Sequence, residues 1–159
     1  MRLIIGDITK MEADVIVNAA NGIGTMGGGV AYAIKMAGGE VIEREAIRIC
    51  NELEPKEGDV YVTSAGNLKA KYIFHAVTMK NPAQPSSIEI VKKCLLSLLK
   101  KAREYEIKSM VIPALGTGVG GLSKEEVAKI YKDILEGISE IDIMVIDRDG
   151  EFIKYLKMK

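Results

Sequence analysis

Apolar residues fall into six short runs: Leu3–Ile5, Val15–Ala19, Val60–Ser64, Tyr72–Val77, Met110–Ala114 and Ile141–Ile146. Each is bounded by polar or turn-forming residues, which predicts six strands. Val15, Ile16 and Val17 are apolar on successive positions, as expected of a central strand covered on both faces. Between the runs the period changes to that of a helix. From Ser86 to Tyr105, Ile90, Val91, Cys94, Leu95, Leu98, Leu99 and Ala102 line one helical face, with Ser86 and Glu89 spaced as a capping box. Ser123 and Glu126 repeat that spacing before a helix whose inner face is Val127, Ile130, Tyr131, Ile134 and Leu135. A third helix is predicted to leave Gly27–Gly29, run through Val30, Ala33, Ile34 and Ala37, and stop at Gly38-Gly39. A fourth covers Glu40–Asn51. The last, Gly150–Lys157, ends in a basic tail of Lys154, Lys157 and Lys159 that reads as a solvated face.

Strands alternating with helices predict a three-layer α/β/α domain around a mixed, largely parallel sheet. The 159 residues read as a single domain, 1–159. Composition narrows the partners. The 22 basic and 22 acidic side chains cancel, so no electrostatic footprint for DNA or an anionic membrane is present. Phosphate binding, if any, has to be local. Cys50 and Cys94 lack metal-ligand or redox spacing, and no apolar run approaches the length of a membrane span, so a reduced cytoplasm is expected, with no metal and no cofactor.

Two loops spell G-x-G-x-x-G: Gly22, Gly24 and Gly27, then Gly116, Gly118 and Gly121. Each follows a predicted strand and leads towards a helix. Glycines let backbone approach a ligand closely, and helix N-termini offer unpaired N–H groups to anions. A Rossmann dinucleotide site would place such a loop in the first strand–helix unit, with an acid about 20 residues later. Asp147 lies 26 residues beyond Gly121, but that loop comes late in the chain, and Glu40 and Glu43 near the first loop fall in a helix. Neither loop contains G-K-[ST], which excludes a P-loop. Two loops predict one anionic group gripped from both sides.

The segments GDIT (Gly6–Thr9), DVIVNAAN (Asp14–Asn21), GGGVAYAI (Gly27–Ile34), YIFHAV (Tyr72–Val77) and PALGTGVGGLS (Pro113–Ser123) occur in this order. Together they closely resemble the macro domain family, whose members bind ADP-ribose and in some branches hydrolyse its linkages. The resemblance covers nearly the whole chain. It implies that Asp7 accepts the exocyclic amine of adenine while the Ile8 N–H reads the ring. It implies a diphosphate held between Gly27, Gly28, Gly29 and Val30 on one side and Gly116, Thr117, Gly118, Val119 and Gly120 on the other. Asn21 takes the place of the residue at the distal ribose. Asn18 reads equally as a partner for local backbone. Thr117 offers its hydroxyl either to a phosphate oxygen or to the next helix as a cap. The implied partners are ADP-ribose or ADP-ribosylated macromolecules; poly(ADP-ribose) and RNA offer the same chemistry, but the neutral charge argues against an extended contact.

The chain departs from the more elaborate members of that family. Ala31 stands where hydrolytic members carry Asp directly after G-G-G-V. Gly120 stands where an aromatic often faces the distal ribose. Ile146 stands where an aromatic commonly stacks on adenine, with Phe152 near enough in sequence to substitute. Two catalytic routes are implied. MGGGVAYAIK also resembles a branch in which the lysine, here Lys35, attacks the anomeric carbon, although the acid which that branch uses is absent from GTGVGG. Alternatively Asn21 and a bound phosphate hold a water without a dedicated base. His75, the single histidine, sits within a strand beside Phe74 and Ala76 and reads as structural, as do both cysteines. The resulting expectation is a site built for binding and sparse in acid–base groups, with hydrolysis of ADP-ribose linkages as the alternative.

Overall fold

Val15, Ile16 and Val17 have no exposed surface, because helices cover both faces of the strand that carries them. The computed structural model describes residues 1–158. Its strands are β1 (Arg2–Ile5), β2 (Val15–Asn21), β3 (Val60–Ser64), β4 (Tyr72–Met79), β5 (Ser109–Ile112) and β6 (Asp142–Asp147). They form one sheet in the order β1-β6-β5-β2-β4-β3, parallel throughout except for β3, which runs antiparallel to β4 at the edge. The helices are α1 (Gly29–Gly38), α2 (Glu40–Leu53), α3 (Ile88–Glu104), α4 (Lys124–Leu135) and α5 (Glu151–Lys157). Alternate residues of β2 divide the core. Val15 and Val17 pack with the apolar faces of α3, α4 and α5, whereas Ile16 packs with Ile34 of α1 and Ile42 of α2. The expected α/β/α layering is thus the observed one.

Three details differ from the pattern-based reading. The N-cap of α3 is Ser87, whose Oγ accepts the Ile90 N–H at 3.2 Å, and not Ser86. The Ser86 N–H is instead bonded to the Gly120 carbonyl at 3.0 Å, so the neighbouring serine is left to start the helix. In α1 the inward residues are Ala31, Ile34 and Gly38, while Ala37 is exposed and Ala33 is half-buried. In α4, Ala128 joins Val127, Tyr131 and Leu135 inside, and Ile130 and Ile134 are half-buried. Lys154 and Lys157 are exposed as expected, and Lys159 lies outside the described residues. No helix among the described residues is long and apolar enough to cross a membrane.

A register shift between Ala20 and Asn21 pairs Asn21 with Met79 of β4 instead of Thr78. Such a bulge turns the end of a strand away from its ladder. It carries Asn21 out of the sheet at the carboxyl end, where β2, β5 and β6 all finish and where open α/β sheets bind ligands.

Candidate functional site

A cleft of about 830 Å³ opens at those strand ends, within the size range of small-molecule sites. One wall is the stretch Gly27–Val30. Gly28 caps α1 without any side-chain hydrogen bond, so the first amides of a ten-residue helix face the cleft without a capping oxygen. Gly29 has φ +58°, which favours glycine, and a Cβ at Gly27 or Gly28 would meet nothing within 4 Å. This wall is therefore bare backbone. Of the first G-x-G-x-x-G, only Gly27 lines the cleft. Gly22 and Gly24 are packing residues: a Cβ at Gly24 would lie 2.6 Å from the Ala46 backbone, and one at Gly22 would lie 3.0 Å from the Lys80 carbonyl.

The facing wall is Gly116–Gly120. It is a free-standing loop and not a helix N-terminus, since α4 starts at Lys124 and Ser123 already caps it through the Glu126 N–H. The loop is fastened internally by Leu122 N–H to Gly116 O at 3.0 Å and Gly121 N–H to Gly118 O at 3.1 Å. The Thr117 hydroxyl donates to the Ala114 carbonyl at 2.9 Å, so it neither caps the next helix nor offers its proton to a phosphate. Beneath the loop lies a support that periodicity alone marked only as core. The Tyr131 phenol donates to the Pro113 carbonyl and accepts the Leu115 N–H at 2.9 Å, joining α4 to the turn between β5 and the loop. Burial raises the Tyr131 pKa, so the phenol stays protonated.

At one end of the cleft Asp7 caps the turn Ile8–Lys10. Its Oδ1 accepts both the Thr9 hydroxyl, at 2.7 Å, and the Thr9 N–H, at 2.9 Å, and these bonds hold the carboxyl below the usual range. The carboxylate is an acceptor with its second oxygen free of those two bonds. Ile8 follows at the first helical position, where an N–H has no partner within the helix. Ile146, 2% exposed, forms apolar floor beside Ile8. Phe152 does not reach the cleft: its ring is fully buried, edge-on to Tyr131 at 5.0 Å, because α5 turns Phe152, Ile153 and Leu156 into the core. An aromatic lid from Phe152 is thereby excluded.

At the other end Asn21 lines the cleft, but its amide is committed to its own loop. Nδ2 donates to Thr25 O and Thr25 Oγ1 at 3.1 and 3.0 Å, and Oδ1 accepts the Ile23 and Gly24 N–H groups at 3.1 and 2.8 Å. Those four bonds fill the capacity of a carboxamide, leaving none to hold an attacking water. Thr25 receives a hydrogen bond on its hydroxyl oxygen and lines the cleft, whereas Thr78 and Thr117 donate their protons to the carbonyls of Ala20 and Ala114. The side-chain donor at this end is accordingly Thr25, which no spacing rule singles out.

Lys35 lies outside the cleft lining. Its Nζ is paired with Glu43 Oε1 at 3.3 Å, and Glu43 Oε2 accepts the Met26 N–H at 2.8 Å. The lysine thus braces the loop that precedes Gly27, and a nucleophilic role does not fit this geometry. Lys35→Ala should leave ligand affinity within about twofold and cost about 1 kcal/mol or less, the scale of a partly exposed ion pair, as calorimetry and thermal melts would show. A complete loss of binding or turnover would return Lys35 to the reaction.

His75 is fully buried within β4, between β2 and β3, with Nδ1 3.0 Å from Asn18 Nδ2 and Nε2 2.8 Å from Thr63 Oγ1, stacked on Tyr61. Since Nδ2 of Asn18 can only donate, Nε2 carries the proton and gives it to Thr63, which passes its own to the Ser64 carbonyl. Burial pushes the His75 pKa down to about 3, so the ring is neutral and structural. Asn18 is buried with it, off the cleft. Burial also pushes the Cys94 thiol up to about 12 and raises that of Cys50, so neither is a nucleophile.

The Macro domain family profile matches residues 17–131, which include most of β2, both walls of the cleft and Tyr131. The chain belongs to the macro domain family. An uncharacterized protein of Aquifex aeolicus is 42% identical over 161 residues, covering 97% of this macro domain and 93% of the relative. Among solved structures, the Oceanobacillus iheyensis macrodomain with ADP superposes with a TM-score of 0.85 at 27% identity, covering 98% of this chain and 87% of that one. The Trypanosoma brucei macrodomain in complex with ADP-ribose gives 0.78 at 26% identity, covering 98% and 67%. In the present macro domain the titratable side chains lining the cleft are Asp7, Asp147 and Arg148, all at the Asp7 end. Asp147 is itself occupied, accepting the Arg148 and Phe152 N–H groups. Among the described residues, the end containing Asn21 and Thr25 has no acid, base or charged nucleophile in its lining.

Proposed function

We propose that this macro domain binds ADP-ribose, free or attached to a macromolecule, and that it acts as a reader. The observation that carries the reading is the pair of backbone walls, Gly27–Val30 and Gly116–Gly120, facing each other beside an anionic Asp7 and the open Ile8 amide. A diphosphate between the walls meets helix and loop amides. Adenine then reaches Asp7, whose anionic carboxylate accepts the exocyclic amine, and the distal ribose falls beside Thr25. Ligation by backbone explains how a chain of zero net charge holds a dianion. The solved macrodomains with ADP and ADP-ribose support the choice of ligand. A single domain working in the cytoplasm fits the two buried free thiols.

The lack of a base near Asn21 favours recognition over hydrolysis of ADP-ribosylated protein or nucleic acid, of O-acetyl-ADP-ribose or of ADP-ribose-1″-phosphate. Neutral charge gives poly(ADP-ribose) or RNA no extended track. Calorimetry with ADP-ribose should give saturable 1:1 binding, weakened about tenfold or more by Asp7→Ala, with AMP binding less tightly. No heat at millimolar ADP-ribose would remove the proposal. A hydrolysis panel on the same preparation should match buffer; turnover that Asn21→Ala abolishes would establish the enzyme instead.

A further inference from the structure

Residues other than glycine avoid positive φ, because the Cβ then crowds the backbone. Among the described residues three adopt it: Glu54 at 47°, Ala83 at 63° and Glu106 at 52°. Two of these have a plain structural reason. Glu54 is the left-handed C-cap of α2, its N–H bonded to the Cys50 carbonyl, and Glu106 follows the C-cap of α3 with its N–H on the Arg103 carbonyl. Ala83 ends no helix. It lies in the exposed connection from β4 to α3, and it lines the cleft. Pro82 followed by a residue of positive φ is the order of a type II turn, where glycine is the ordinary choice at the second place. Alanine there keeps a strained backbone at a cleft wall, and such strain collects at functional sites. The turn is also clasped and tied. Gln84 Oε1 accepts the Asn81 N–H at 3.0 Å, the Lys80 carbonyl accepts the Gly22 N–H at 2.8 Å, and the Ser86 N–H reaches the Gly120 carbonyl at 3.0 Å. Its two ends are thus fixed to both glycine loops.

The order of the sheet says which part of a ligand this turn meets. Asp7 follows β1 and Ala83 follows β4, with β6, β5 and β2 between them, about 19 Å at ordinary strand spacing. Pro82 and Ala83 share their end of the cleft with Thr78, Met79, Asn21 and Thr25. We propose that Ala83 is a specificity-determining residue, its methyl group set against the sugar that follows the second phosphate. The inference rests on the ADP-ribose reading and deepens it, by assigning the residue that separates ADP-ribose from ADP. A methyl group takes an apolar face of the sugar and leaves the hydroxyls to Thr25 and the loop amides. A turn fixed before the ligand arrives loses no freedom on binding, so the full contact appears in affinity.

Calorimetry with ADP-ribose and with ADP, on the full chain, tests this. Ala83→Gly removes the methyl group and relaxes the backbone, so stability and affinity should part company. The thermal midpoint should hold or rise by up to about 4 °C. Affinity for ADP-ribose should fall by about 3- to 10-fold, the scale of one buried methyl group. ADP, which carries the base and the diphosphate without the second sugar, should bind within about twofold of wild type. Ala83→Asn keeps a left-handed backbone, which Asn tolerates, and adds bulk. It should weaken ADP-ribose by about tenfold or more and again spare ADP. Equal losses for the two ligands would show that the turn only supports the walls and would overturn the proposal. Wild-type affinity for ADP-ribose in either variant would overturn it as well. These failures differ from that of the functional reading, in which wild type itself gives no heat with ADP-ribose.

Discussion

Tyr131→Phe should lower the stability of this protein by about 2–4 kcal/mol while leaving the shape of its core almost unchanged. The ring is fully buried and its edge-on packing with Phe152 survives in the variant. What disappears is one hydroxyl bonded to two backbone groups, the carbonyl of Pro113 and the N–H of Leu115. Leu115 is fully buried and Pro113 is buried too, so water has little access to either group. Each buried group left without a partner costs about 1–3 kcal/mol. At this chain length that total corresponds to a fall in unfolding midpoint of about 5–15 °C, readable by calorimetry. The effect should not stop at stability. The two groups flank the start of the Gly116–Gly120 loop, so affinity for ADP-ribose should fall alongside the midpoint. A midpoint within about 2 °C of wild type would show that the phenol does not carry the loop.

That support shows which parts of the molecule can be read from the chain and which cannot. Strand positions are legible because burial on both faces demands nearly continuous apolar runs; Val15–Val17 obeys this, and Ile73–Val77 does so with the single polar interruption of His75. Ends are less legible. Ser86 and Ser87 are chemically alike, and the choice between them is made by Gly120, more than thirty residues away, which takes the Ser86 N–H. The glycine walls are visible because three successive glycines have few other uses. The side chains around them are harder, since a polar residue at a strand end can serve a ligand or a loop. Asn21 serves its loop, Lys35 serves Glu43, and Phe152 serves the core. Each looked available in one dimension because its partner is set by the fold. Thr25 was invisible for another reason: it reaches the cleft from an irregular loop, where no helix or strand period applies.

Gly120→Phe should abolish measurable ADP-ribose binding, although it introduces an aromatic of the kind that other macro domains resembling this one place at the distal ribose. The obstacle is the Cβ and not the ring. Built on the present backbone, that atom lies 2.5 Å from the Gly116 carbonyl oxygen and 2.9 Å from its carbon, closer than real Cβ contacts come. The oxygen cannot retreat freely because it accepts the Leu122 N–H at 3.0 Å. Nor can Gly120 move alone, since its own carbonyl holds the Ser86 N–H at the entry to α3. Relief therefore has to come from displacing the whole loop, at about 1–3 kcal/mol for a forced overpacking. Because the loop amides form one wall of the cleft, that displacement appears in affinity, about tenfold for each 1.4 kcal/mol. Gly120→Ala carries the same Cβ and should already lose about tenfold or more. If the alanine variant binds ADP-ribose like wild type, the loop yields without penalty and its rigidity is not what forms the wall. If phenylalanine tightens binding, an aromatic is accommodated there after all, and Gly120 is a choice of specificity and not a demand of the backbone.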